Sequence, residues 1–170
     1  QSTGGLRTTY GCAWSADGCT PAPLHEPTAT DYASAPTDGS RTMAFLRDGD
    51  IWLVQEDGTG LRQLTTSGGM VYAFAWSPDG QHIAFHSYRD DNADIYVVNP
   101  DGTGLTRLTH HGADDWGPDW SRDGLWIAFT SDRVGENEIY LMRSNGTDVR
   151  RLTHDAASDT WPVWRPKQLT

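Results

Sequence analysis

No stretch of this sequence approaches the roughly 20 consecutive apolar residues that a membrane-spanning helix requires, so no such helix is expected. Cysteine is scarce. Cys12 and Cys19 are the only two, and no C-x-x-C or Cys/His set has the spacing of a zinc site. No Gly-x-Ser-x-Gly elbow is present to carry a hydrolase nucleophile. Leucine-rich helical periodicity is missing as well. Positive charge is in deficit, with 13 Lys and Arg against 23 Asp and Glu and a formal net charge of −10. That balance argues against nucleic acid and anionic membranes as partners, and toward solubility, cation binding or a basic partner. What the chain does hold is Gly 18, Trp 8 and Tyr 6, a composition suited to many short strands and turns. Its 170 residues suffice for one domain with a core.

The chain is organised by a repeat. Ala75 to Thr109 returns as Asp119 to Thr153 in a fixed register of 44 residues: Trp76 to Trp120, Phe85 to Phe129, Tyr96 to Tyr140, Leu108 to Leu152. A shorter copy, Thr42 to Thr65, precedes them, and a fourth begins at the end, where Pro162 and Trp164 follow Pro118 and Trp120 by the same 44. A period in the 40s with four short strand-like runs per unit signals a propeller or solenoid, because one unit cannot bury its own faces.

Within each unit a run ending in Trp-Ser meets a Pro-Asp-Gly or Arg-Asp-Gly turn. A short apolar run follows, His82 to Phe85 or Trp126 to Phe129, and after a polar loop a second, Asp94 to Val98 or Glu138 to Met142. An Asn-Pro-Asp-Gly or Ser-Asn-Gly turn then leads to the last run, Leu105 to Leu108 or Val149 to Leu152. Four antiparallel strands joined by hairpins make one propeller blade, so the fold expected is all-β with three to four such blades.

These residues resemble a known family. The W-S-x-D-G, I-A-F, (D/E)-I-Y and D-G-T…L-T pattern is similar to the TolB-type, WD-like β-propeller repeat over about residues 42 to 164. The resemblance implies a propeller, usually of six blades or more, in periplasmic or secreted bacterial proteins. It does not imply one activity, since the repeat occurs in TolB, in the non-catalytic propeller of prolyl-oligopeptidase-like enzymes and in some polysaccharide lyases. The extracytoplasmic compartment that it implies would oxidise Cys12 and Cys19 into a small disulfide across their hairpin; two free thiols is the other reading. A chain beginning with Gln1 suits a processed secreted protein, and an expression fragment equally.

Residues 1–41 depart from the repeat. One alignment takes Trp14 to Gly18 as the first turn, with a long Pro/Thr/Ala/Ser-rich insertion after it. A second, slightly favoured, takes Ala33 to Gly39 as a degenerate first strand and turn. Blades are then expected at about 42–65, 66–109 and 110–153, with a closing strand in 154–170 around Trp161, Pro162 and Trp164. A closed propeller needs at least about four blades. Three routes resolve the shortfall: two chains closing a ring by donating C-terminal strands to each other's first blade, a filament of such donations, or closure by residues 1–41.

Candidate sites are few. Asp90, Asp91 and Asp94 gather carboxylates in one loop and are the best candidates for a bound Ca²⁺, against ordinary turn chemistry. Asp115 and Asp159 precede Pro118 and Pro162 and could ring the channel mouth, or cap their loops. Trp52, Trp116, Trp126 and Trp161 could stack on sugars or pack between blades. His110 and His154 share one repeat position, which points to structure. Asn145-Gly-Thr147 is a formal glycosylation sequon in a turn that the other copies fill with Asp-Gly-Thr. The reading is a non-catalytic extracytoplasmic module acting by self-assembly, its partner being itself or another extracytoplasmic protein. The alternative is ligand or protein binding at the channel mouth, and a lyase-like enzyme comes last.

Overall fold

The computed structural model describes residues 41–68 and 70–164 in full, together with the backbone of strands at 12–15, 18–21 and 33–34. Every element among them is a strand. The first two, β1 (Cys12–Ser15) and β2 (Gly18–Pro21), form a hairpin apart from the rest. Cys12 stands opposite Pro21 and Cys19 opposite Trp14. The cysteine side chains, and with them the disulfide, lie outside the described residues.

Three four-stranded antiparallel sheets follow. Blade one is β3 (Ala33–Ser34), β4 (Thr42–Arg47), β5 (Asp50–Gln55) and β6 (Arg62–Gln63). Blade two is β7 (Val71–Trp76), β8 (Ile83–Asp90), β9 (Asn92–Val98) and β10 (Thr106–Arg107). Blade three is β11 (Asp115–Trp120), β12 (Trp126–Ser131), β13 (Glu138–Arg143) and β14 (Arg150–Arg151). Strand order equals chain order in each, and β7 and β11 run close together at the inner edge. Blade one starts at Ala33, which pairs with Phe45, within the segment that the second alignment treats as a degenerate first strand.

The repeated motifs have repeated local jobs. In W-S-x-D-G, the Ser77 hydroxyl donates to Asp79 at 2.6 Å and accepts the His82 N–H at 2.9 Å; Ser121, Asp123 and Trp126 repeat both bonds at the same distances. Gly80 and Gly124 take φ of 67° and 68°, left-handed values that glycine adopts without a Cβ penalty. The (D/E)-I-Y and R-L-T motifs form a buried clasp. Asp94 takes the Arg107 guanidinium at 2.5 Å and the Thr109 hydroxyl at 3.0 Å, while Thr109 accepts the Ile95 N–H at 2.9 Å. Glu138, Arg151, Thr153 and Ile139 repeat it in blade three. In blade one Asp50 holds Thr65, and Gln63 stands in for the arginine.

Alternation in the strands then supplies two apolar faces per blade. Blade one's Ala44, Leu46, Ile51 and Leu53 meet blade two's Phe74, Ile83, Phe85, Tyr96 and Val98. Blade two's opposite face, Ala84, Ile95, Val97 and Leu108, meets Trp120, Ile127, Phe129, Tyr140 and Met142 of blade three. The end faces are less covered. Leu108 is 8% exposed but its counterpart Leu152 is 47%, and Trp120 is 7% exposed but Trp164 is 37%. Met43 and Phe45, on blade one's outer side, are likewise uncovered in part where Ile83 and Phe85 are buried.

Residues 152–164 form no ladder. They nevertheless repeat the junction between blades two and three. The Gly117 N–H donates to His86 Nδ1 at 3.4 Å, and 44 residues on the Trp161 N–H donates to Thr130 Oγ1 at 3.0 Å. Both donors have positive φ, 63° at Gly117 and 56° at Trp161. The Trp164 N–H closes on Asp119 at 2.7 Å. Trp161, Pro162 and Trp164 thus follow blade three of their own chain. The inner edge of β4, where a donated strand would pair, is occupied over two residues by β3.

Candidate functional site

The start of each first strand, the hairpin between strands two and three, and the end of each fourth strand share one end of the sheets. The register fixes this: Val71 lies opposite Ser87 and Ser87 opposite Asp94, as Asp115 lies opposite Ser131 and Ser131 opposite Glu138. At this end, the mouth, five rings from two blades and the C-terminal segment form a row. Tyr88 meets Tyr72 edge-on at 5.6 Å between centroids, and Tyr72 stacks on His86 at 6.0 Å. His86 meets Trp161 at 6.5 Å, and Trp161 meets Trp116 edge-on at 4.9 Å. Tyr72, Tyr88 and Trp161 are 48%, 40% and 50% exposed around a buried His86.

His86 organises the row. Its Nδ1 accepts from Gly117, which fixes the neutral tautomer with the proton on Nε2. Burial pushes its pKa down to about 4, with the Asp114 carboxylate pulling weakly the other way. Asp114 accepts the Ala93 N–H at 2.9 Å and lies 3.4 Å from the Tyr88 hydroxyl. Burial, then that carboxylate, raises the Tyr88 pKa. Asp132 accepts the Asp114 N–H at 2.9 Å, so the two carboxylates stand beside the ring row.

The arginines at the mouth lie against carboxylates or rings of their own blades, with Arg47 exposed. One guanidinium nitrogen of Arg133 donates to both Asp115 oxygens, at 2.8 and 2.9 Å, and the guanidinium lies over the Tyr140 ring at 4.5 Å. Arg89 lies 5.0 Å over Tyr96, and Arg47 4.9 Å over Trp52. Arg107 and Arg151 serve the clasps. Exposed carboxylates remain at Asp48, Asp91, Asp132, Glu136 and Asp155.

The residues expected from sequence fall out differently. Asp115 is fully buried under Arg133, so it braces the mouth from beneath instead of lining it. Asp159 is half-buried, and its N–H donates to the Asn137 carbonyl at 2.8 Å. The calcium candidates do not converge. Asp94 is buried in its clasp, Asp90 accepts the Tyr96 hydroxyl at 2.6 Å, and Asp91 sits at the hairpin tip with φ 51°. No group of three His, Cys, Asp or Glu suited to a metal occurs among the described residues. Of the tryptophans considered, Trp52 and Trp126 lie under arginines, whereas Trp116 and Trp161 form the mouth row. Tyr72, Tyr88, His86 and Asp114 were not singled out from the sequence. The available signal was two tyrosines flanking the bulged β7–β8 pair, one on each strand.

Clefts of about 530 and 360 Å³ open at the other end, between successive blades. Their polar side chains already serve local turns: Asp79 holds Ser77 and Gln81, Asn99 holds Thr103, and Asn145 holds Thr147. The mouth is the better candidate site.

Sheets of four antiparallel strands, stacked face to face at a 44-residue period with their first strands innermost, define a β-propeller repeat module. The family model for the TolB beta propeller domain matches residues 16–170, and the chain belongs to that family. A solved structure of putative TolB from Agrobacterium tumefaciens is similar, with 34% identity and a TM-score of 0.70 over 78% of this chain and 48% of that one. A protein TolB homolog of Chlorobium luteolum is 45% identical over 51 residues, 30% of this chain and 12% of the relative. The Tol-Pal system protein TolB of Nitratidesulfovibrio vulgaris is 39% identical over 54 residues, 29% of this chain and 12% of the relative. The chain thus matches about half the length of the solved relative and an eighth of the curated ones. No helix among the described residues is long and apolar enough to cross a membrane.

Proposed function

We propose that this chain is a non-catalytic, extracytoplasmic protein-binding module that docks a partner protein at the mouth of its propeller. The observation that carries the reading is the ring row Tyr88–Tyr72–His86–Trp161–Trp116, an aromatic cluster at one end of the sheets whose Tyr72, Tyr88 and Trp161 are exposed. Exposed aromatic patches of this kind supply rigid contact area at low entropic cost. The likeness to a Tol-Pal system protein TolB supports a protein partner from a system of the same sort. A photo-crosslinking residue at Tyr72, compared with one at Gln81 on the opposite end, tests this in cells making the chain. A discrete crosslinked partner from position 72 alone is expected. Crosslinks from position 81 alone would sink the reading.

A second reading, self-association, draws on the uncovered end faces. Leu152 and Trp164 on one side and Met43 and Phe45 on the other are apolar positions whose counterparts are buried between blades. Docking of one chain's blade three on another's blade one would extend the stack without any exchange of strands. Sedimentation at micromolar concentration should then give a dimer or longer series that Leu152→Asp dissolves. A monomer at every concentration would exclude it.

A further inference from the structure

We infer that the mouth takes a cationic segment of its partner, an extended stretch whose lysine or arginine side chain lies against the aromatic row with its charge at Asp114 and Asp132. This rests on the proposed reading of the mouth as a docking surface and adds the chemistry of what docks. Three observations carry it.

The first is the shape of the charge. Asp114 lies against the Tyr88 hydroxyl and Asp132 against Asp114, and among the described residues no arginine, lysine or histidine forms an ion pair with either carboxylate. The second is where the positive charge went. Arg133 is held by Asp115, Arg107 by Asp94 and Arg151 by Glu138, so each compensates a buried carboxylate and none reaches Asp114 or Asp132. A surface with unmatched carboxylates attracts cations and disfavours anionic partners.

The third is the ring row itself. The exposed rings of Tyr72, Tyr88 and Trp161, with the half-buried Trp116 behind Trp161, offer negative π-density next to those carboxylates. Aromatic faces hold lysine and arginine by cation–π attraction, and the aliphatic stem of either side chain covers ring surface as well. The chain already uses this pairing in each blade, where Arg47, Arg89 and Arg133 lie over rings of their own sheet. A partner's cation would make the same contact from outside. An anionic or purely apolar segment would leave Asp114 and Asp132 desolvated without compensation.

The test uses the whole chain and three capped hexapeptides alternating Ser with Lys, Gln or Glu, titrated by tryptophan fluorescence at 20 and 200 mM NaCl. The Lys peptide should bind at least tenfold tighter than the Gln peptide and weaken several-fold at the higher salt. The double variant Asp114→Asn with Asp132→Asn keeps both acceptors for the backbone N–H groups, so it should fold normally and still lose at least tenfold in affinity. Trp116→Ala should lose as much. If the Gln or Glu peptide binds as tightly as the Lys peptide and Trp116→Ala abolishes it, the cationic assignment falls and the mouth reading stands. If Lys-peptide binding is indifferent to all three substitutions, both fall. Absence of binding by every peptide up to millimolar concentration overturns the cationic assignment, while crosslinking from position 72 still decides the mouth.

Discussion

The indole of Trp161 lies directly on Gly117: a Cβ added at 117 would sit 3.0 Å from Cε3 of that ring. Gly117 also has φ 63° at the bulge where β11 shifts register between Trp116 and Asp119. Close approach and a left-handed backbone therefore both require glycine at this position. Gly117→Ala should lower stability by about 1–3 kcal/mol through strain and displacement of the ring. The urea midpoint measures the loss, and a red shift in tryptophan emission should accompany it. An unchanged midpoint would mean that residues 159–164 do not hold this position in solution.

His86 should make stability depend on pH. Its folded pKa of about 4 lies below the ordinary value of 6.5, so the unfolded chain binds the proton more tightly. Stability from this group is complete above about pH 6.5, declines as pH falls toward 4, and levels off below that, for a total of roughly 3 kcal/mol. Asp114 is the carboxylate facing it, and Tyr72, Tyr88 and Trp161 are the other groups around it. His86→Gln keeps an acceptor for Gly117 and should flatten the stability profile between pH 6.5 and 5 relative to the parent. Parallel profiles for the two proteins would refute the buried neutral histidine.

The clasps should rank by their partners. Asp94→Ala leaves a partly buried Arg107 and the Thr109 hydroxyl without their acceptor, and should cost about 2–4 kcal/mol. Asp50→Ala should cost less, because its counterpart is the uncharged Gln63. Thermal melts with 2 mM calcium or with a chelator should superimpose, since Asp94 spends its oxygens within the blade. A calcium-dependent rise of several degrees would restore the cation site in this loop.

Asn145 should tolerate a charge. It accepts the Thr147 N–H at 3.1 Å and hydroxyl at 2.7 Å, the two bonds that Asp101 accepts from Thr103 at 2.8 and 2.6 Å. Those bonds hold the Asp57 and Asp101 pKa values below the ordinary carboxylate range. Asn145→Asp should therefore be neutral or slightly stabilising, because charge-assisted bonds are stronger. Intact mass of the chain expressed in a glycosylating host should show no glycan at Asn145; an added glycan mass lost in the variant would show instead that the sequon is used.

The sequence by itself determined the blade. Turn chemistry and strand alternation are local, so Ser77-Pro-Asp-Gly80, Asp94-Ile-Tyr96 and the 44-residue register between Trp76 and Trp120 report them directly. The family was legible for the same reason. The site was not. Tyr72 and Tyr88 look like ordinary strand residues, and Trp116 and Trp161 could equally have been packing between blades. Only the stacking of blade three on blade two brings Trp116 and Gly117 to His86, and only the C-terminal segment sets Trp161 on top of them. Asp115 shows the converse. Its place before Pro118 suggested a carboxylate at the channel mouth or a loop cap, but the guanidinium of Arg133, 18 residues on, pairs with it in the interior. Burial and charge pairing depend on which side chains arrive from neighbouring strands and blades, and that is decided by tertiary packing, not by spacing along the chain.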